Sequence, residues 1–320
     1  MKKVLFATTV LASLATIASA ETGVKISGYG RFGVVHLSDR APGLNETTVH
    51  TRLRFNIDAK TETDSGVVFG GRIRLQDQSR GTWASSTGGG VLNAALLYAE
   101  YEGFRVEVGN TNTVGESAKL ISASEMGLTD KSFGDIQSRY FAYNQNSYAA
   151  LGLNPNYMGV FASYKLNEFS AMASFITPDQ TGASAVDEEM GLNLAYTTDL
   201  FSVSAAFVQN GAGVTDNDIW FIGGNYKINP DLQVGLNYID EGIDRAGVSM
   251  GKTATLYGNY KFGATTVKAY VANNDYIGNK TDTSFGLGAD YDLGGAKVQG
   301  SIQRGYQEET WVDLGVRFMF

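Results

Sequence analysis

The sequence predicts an all-β protein, a transmembrane antiparallel β-barrel of 16 strands with short periplasmic turns and long external loops. Three observations carry this expectation. The chain opens with an export segment, its apolar residues recur at every second position along almost the whole length, and its last residues form an apolar-faced strand that runs to Phe320.

In the export segment, Lys2 and Lys3 precede an apolar run from Val4 to Ala18, followed by Ala18-Ser19-Ala20. That is the layout of a secretory signal peptide over residues 1–20, and the run is shorter than the roughly 20 residues a spanning helix requires. Residues 21–320 are then the mature barrel domain. Their formal charge is −10, because the whole chain carries −8 and the signal takes away two lysines and no acid, so nucleic acid is not an expected partner. Cysteine is absent, which removes disulfide frameworks, thiolate metal sites and a cysteine nucleophile. The 39 glycines and 4 prolines suit many strands and turns.

Leu53, Phe55, Ile57 and Ala59 alternate with Arg52, Arg54, Asn56 and Asp58, and Val234, Leu236 and Tyr238 alternate with Gln233, Gly235 and Asn237. One face is greasy and the other wet. Segments of this kind are centred near Tyr29, Phe55, Ile73, Leu97, Val106, Val160, Ala173, Leu194, Ala205, Gly224, Leu236, Gly258, Ala269, Leu287, Gly300 and Val316. Their even number suits a closed antiparallel barrel. Short connections such as Glu102-Gly103 and Gly263-Ala264 alternate with longer polar ones such as Pro178 to Glu188 and Gly242 to Gly251, which sets the short turns in the periplasm. Aromatic residues flank the short turns (Tyr101 and Phe104, Tyr164 and Phe169, Tyr196 and Phe201, Tyr260 and Phe262), as expected of an interfacial girdle.

One connection stands apart. It runs from Thr111 to Asn156 and carries Glu116, Glu125, Asp130 and Asp135; structureless loops beyond about 15 residues are usually functional or disordered. A strand at Arg139 to Gln145 would change the count, and a mobile external loop with solvated charges is the plain alternative. On the wet faces of the first five strands stand Arg31, Arg52, Arg54, Arg72, Arg74 and Arg105. An arginine facing lipid costs about 2–4 kcal/mol at the midplane, so these six are expected in the lumen, free or paired with Asp58, Glu100 and Glu107.

The final strand alternates Val312, Leu314, Val316, Phe318 and Phe320 with Trp311, Asp313, Gly315, Arg317 and Met319. An apolar terminal edge needs a partner, and pairing with the first strand supplies one. The ending, with Phe318 and Phe320, resembles the C-terminal assembly signal read by the outer-membrane barrel-assembly machinery.

Gly28 to Gly33, Lys261-Phe262-Gly263-Ala264-Thr265, Tyr291-Asp292-Leu293-Gly294-Gly295 and Asp313-Leu314-Gly315-Val316 resemble the Gram-negative general porins, particularly those of the alpha-proteobacterial type, and the resemblance spans the mature chain. It implies a 16-stranded, trimeric diffusion channel whose third external loop, here residues 111–156, folds into the pore. It further implies a constriction with a basic wall (Arg31, Arg52, Arg54, Arg72, Arg74, Arg105) opposite acids of that loop (Glu116, Glu125, Asp130, Asp135). Outer-membrane lipid and lipopolysaccharide are the expected surroundings.

Other readings are weaker. Gly28-Tyr29-Gly30-Arg31-Phe32-Gly33 spells a dinucleotide fingerprint but lies inside an alternating strand, without the following helix that receives phosphate. A barrel hydrolase needs an activated nucleophile, yet the only histidines are His36 and His50 and no G-x-S-x-G accompanies them. An adhesin or anchoring barrel would have fewer strands and a filled interior. No cofactor is expected; Asp216, Asp218, Asp240, Glu241 and Asp244 are loop acids that offer calcium only an unpatterned set of ligands.

Overall fold

The computed structural model describes residues 23–79, 91–93, 95–138, 158–182 and 186–320; the expected signal peptide and the stretch Arg139 to Gln145 lie outside them. Seventeen strands follow in chain order: β1 (Gly23–Leu37), β2 (Thr47–Glu62), β3 (Val68–Gln78), β4 (Val91–Leu92), β5 (Leu96–Tyr101), β6 (Phe104–Gly109), β7 (Met158–Leu166), β8 (Phe169–Thr177), β9 (Glu189–Thr197), β10 (Phe201–Gln209), β11 (Ile219–Asn229), β12 (Leu232–Asp240), β13 (Lys252–Phe262), β14 (Thr265–Asn274), β15 (Thr283–Asp292), β16 (Ala296–Arg304) and β17 (Thr310–Met319). Each pairs antiparallel with its neighbour, and β17 returns to β1. Both β4 and β5 pair with β3, and the register slips by one residue between them, so they are two pieces of one stave. The barrel therefore has the 16 staves expected from periodicity.

The burial pattern is inverted relative to a soluble sheet. Along β15 the outward Phe285, Leu287 and Tyr291 are exposed, whereas the inward Ser284 and Asp290 are buried. The same contrast recurs along β7 to β16 because side chains alternate across the pleat, and an outer face of this kind is stable only against hydrocarbon. The aromatic pairs of the turns sit on that outer face; Phe169 packs against Tyr196 with ring centroids 4.6 Å apart. At the Glu102-Gly103 turn both residues have positive φ, the geometry that lets a two-residue hairpin follow strand twist.

Closure is fixed by backbone and side chain together. The amide of Gly28 donates to the Phe320 carbonyl at 2.8 Å, and the Phe320 amide returns a bond to the Gly28 carbonyl at 3.1 Å. Phe320 packs against Phe55, and a Cβ on Gly30 would lie 2.3 Å from the Phe318 ring. The glycines of the Gly28-Tyr29-Gly30 motif thus seat the terminal aromatics.

Candidate constriction of the lumen

After β6 the chain does not leave the barrel. Thr113 caps a single helical turn, α1 (Val114–Ser117), and the Val114 amide donates to Ser174 on β8. Val114, Ala118 and Ile121 pack on inward-facing Phe161, Ala206, Val208, Ile219, Phe221 and Ile239. The lumenal face is therefore not wet throughout: where the loop lies against it, the wall is apolar, an arrangement that alternation alone did not reveal. The loop then crosses the lumen. Asn237 donates to the Leu120 carbonyl, Met126 enters a cluster with Tyr257, Tyr270 and Tyr306, and Leu128 lies over Gly33 and Gly315, where any Cβ would collide with it.

Three side chains tie the far segment down. Asp313 accepts from the amide and hydroxyl of Thr129, Gln303 donates to the Lys131 carbonyl, and the buried Glu241 carboxylate accepts from the amides of Gln137 and Ser138 and from the hydroxyls of Ser138 and Thr253. At this level the loop is held against β7–β17 and β1, and the lumenal surface it leaves uncovered is that of β2, β3, β5 and β6, where all the candidate arginines but Arg31 stand.

Arg52 donates to Gln78 and to the hydroxyl of Tyr29, and Arg54 donates to Gln76 and stands 5.5 Å from the Tyr29 ring. Their hydrogen-bond partners are neutral, so no carboxylate ion pair cancels either charge. Arg74 makes no side-chain hydrogen bond or ion pair among the described residues. By contrast, Arg72 is paired with Asp58 at 2.6 Å. Arg105 bonds both Glu100 and Glu107 and stacks on Tyr98 beside a periplasmic turn. Arg31, only 3% exposed, meets the loop: with Arg317 it donates to the Leu128 carbonyl and to the carboxylate of Asp130. A buried guanidinium needs such a partner, since an unpaired one costs several kcal/mol.

Among the loop acids, Asp130 is shared by Arg31 and Arg317, and Glu116 acts electrostatically on Arg54. Glu125 and Asp135 gather elsewhere, near Lys131 and Lys268. Burial, then the negative charges of Asp135 and Asp130, pushes the Glu125 carboxyl up to about 8. Burial pushes Asp135 up to about 7, opposed by a hydrogen bond from Ser124 and by Lys131, and it pushes Glu241 up to about 7, opposed by its four donors. Folded values above the ordinary carboxyl range mean stability that is complete below about pH 4 and is lost as pH rises through 7 to 8. Loop seating is accordingly expected to loosen as pH rises from about 4 to about 8 and to level off above that, seen as rising open-channel noise in bilayer recordings, with Glu125→Gln flattening the upper part of the profile. Noise independent of pH would show that these carboxyls do not hold the loop.

Arg317 and Tyr29 escaped the sequence reading. Both lie on wet faces, and the signal was barrel closure itself, which places Arg317 opposite Arg31. The loop acids considered for calcium are dispersed: Asp240 pairs with Lys252, Asp244 caps backbone amides, Asp218 accepts from the Asn210 amide and Glu241 is engaged as above. No cluster of three or more His, Cys, Asp or Glu that would suit a metal occurs among the described residues. His36 bonds Thr47, and His50 is buried on the inner face of β2.

Comparison with known proteins agrees with this architecture. The chain matches the Gram-negative porin family over residues 7–310. It is 44% identical over 299 residues to a porin of Fuscovulum blasticum, covering 93% of this chain and 100% of the relative. It is 26% identical over 323 residues to a porin of Rhodobacter capsulatus, with 93% of this chain and 100% of that one covered. A solved mutant of Rh. blastica porin superposes with a TM-score of 0.86 at 43% identity, covering 93% of this chain and 100% of that chain. A 16-stave barrel with an apolar outer wall and a charged lumen, matched along nearly its whole length by porins, places this chain in the Gram-negative porin family, as a multi-pass β-barrel of the outer membrane that forms a porin channel.

Proposed function

We propose that this porin is a passive diffusion channel narrowed by the loop from Thr111 to Asn156, and that Arg52, Arg54 and Arg74 form the basic side of its constriction. The observation that carries this reading is the contrast in partners along one wall. Arg72 and Arg105 are neutralised by carboxylates, whereas Arg52 and Arg54 are held by glutamine oxygens and Arg74 by none among the described residues. Amide acceptors fix the direction of a guanidinium without cancelling its charge. On the loop, Glu116 lies near enough to act on Arg54 and supplies the opposite sign, so the narrowest part carries a transverse field. Such a field orders water and disfavours apolar solutes, leaving small hydrophilic ones to pass by size and charge.

In this reading the channel binds no cofactor, carries out no catalysis and works as a homotrimer in a lipid and lipopolysaccharide membrane. Residues 1–20 direct export, and the strand ending in Phe318 and Phe320 is read by the barrel-assembly machinery. Single-channel recording tests it: conductance is expected to arrive in steps of three and to scale with salt concentration. Insertion without conductance would return an adhesin or hydrolase barrel to consideration.

A further inference from the structure

A third charged cluster belongs neither to the arginine wall nor to the loop carboxylates. It lies at the periplasmic end of the lumen, on the side formed by β7 to β11. Lys165, Thr197 and Lys227 occupy inward positions at the ends of β7, β9 and β11 next to the short turns. Antiparallel partners share a face, so Ser170, opposite Lys165, and Ser202, opposite Thr197, add hydroxyls to the same surface. Into this wall the loop sends Lys119, whose Nζ donates to Thr197 Oγ1 at 2.5 Å. Lys165 and Lys227 stand near enough to act on Lys119: partial burial first, then their two charges, lowers its ammonium pKa.

No carboxylate forms an ion pair with any of the three lysines among the described residues. Glu168 and Asp199, in the turns at this end, are exposed to solvent. Like charges held together by the fold raise one another's energy, and a visiting anion relieves that cost. Three ammonium groups beside three hydroxyls present donors from several directions, which suits a multiply charged, tetrahedral oxyanion better than chloride.

We propose that Lys119, Lys165 and Lys227, with the hydroxyls of Ser170, Thr197 and Ser202, form a docking station for phosphate-class oxyanions at the periplasmic mouth. It is distinct from the arginines of the constriction. An anion that has passed Arg52 and Arg54 meets a second positive station on the opposite wall before leaving the barrel. Because this station stands at one mouth only, its occupancy depends on the side from which the anion enters.

The test is block of potassium chloride current in a planar bilayer, with the channel inserted in known orientation and inorganic phosphate added to one compartment at a time. Half-block is expected at a lower phosphate concentration from the periplasmic side than from the external side. Combining Lys119→Gln, Lys165→Gln and Lys227→Gln is expected to raise the periplasmic half-block concentration about tenfold or more, while Lys→Arg at the same positions preserves it. Equal block from both sides of the unaltered channel, or periplasmic block unchanged in the triple variant, overturns the proposal. Should the triple variant not assemble, Lys165→Gln and Lys227→Gln singly, both at exposed strand ends, carry the same measurement. Chloride conductance persisting in any of these channels keeps failure of the station separate from failure of the pore.

Discussion

Deleting residues 116–135 is expected to raise single-channel conductance severalfold and to lower the unfolding temperature of the barrel. The segment spans the lumen from the contact of Ala118 and Ile121 with the β7–β12 wall to Gly134 against Thr255, so its removal returns much of a cross-section that 16 strands would otherwise leave open to water. The cost follows from the same contacts. Ile121, Met126 and Leu128 are almost fully buried, and each contributes about 1.5–3 kcal/mol by leaving water. Deletion also uncovers Phe221 and Ile239 on the inner wall and strips Arg31 and Arg317 of Asp130. A milder variant, Leu128→Ala, opens the seat over Gly33 and Gly315 without removing any charge, and a small rise in conductance is expected from it. Unaltered conductance in the deletion variant would mean that flow is limited elsewhere.

Exchanging Arg52 and Arg54 together for glutamine is expected to move the reversal potential toward cations by about a tenfold change in the cation-to-anion permeability ratio in dilute salt. In a water-like dielectric a unit charge about 4 Å away changes the energy of a passing monovalent ion by about 1 kcal/mol, with opposite sign for cation and anion. Two charges removed thus amount to several kcal/mol at closest approach, which screening over a Debye length of about 10 Å at 0.1 M reduces. At 1 M salt, where that length is about 3 Å, the shift should shrink strongly. Arg72→Gln is the contrasting variant. It removes a charge already cancelled by Asp58, so its effect on selectivity should be much smaller. Equal shifts from Arg72 and from Arg52 or Arg54 would refute the division of the wall into neutralised and uncancelled arginines.

These outcomes separate two kinds of information in the chain. The barrel was legible in the sequence because the bilayer imposes a local rule on every strand: each second side chain must tolerate hydrocarbon, and each backbone group must find a partner within the wall. Phe285, Leu287 and Tyr291 against Ser284 and Asp290 state that rule within one segment, and the same alternation located every stave. The inward direction of all six arginines was fixed in the same way. Which arginines keep an uncancelled charge was not legible, because that depends on cross-strand register, which sets Arg72 beside Asp58 but Arg52 and Arg54 beside Gln78 and Gln76.

Closure decided still more. It brought Arg317, near the end of the chain, opposite Arg31 near its beginning, and so gave Asp130 two partners where the sequence suggested none in particular. The path of the loop was equally non-local. Its anchors Asn237, Glu241, Gln303 and Asp313 lie more than 100 residues downstream, and the apolar patch of Phe161, Phe221 and Ile239 breaks the wet-face pattern only because the loop covers it. Periodicity along a strand specifies which side a residue faces. What it meets there depends on three-dimensional neighbours, and the tertiary structure alone supplied them.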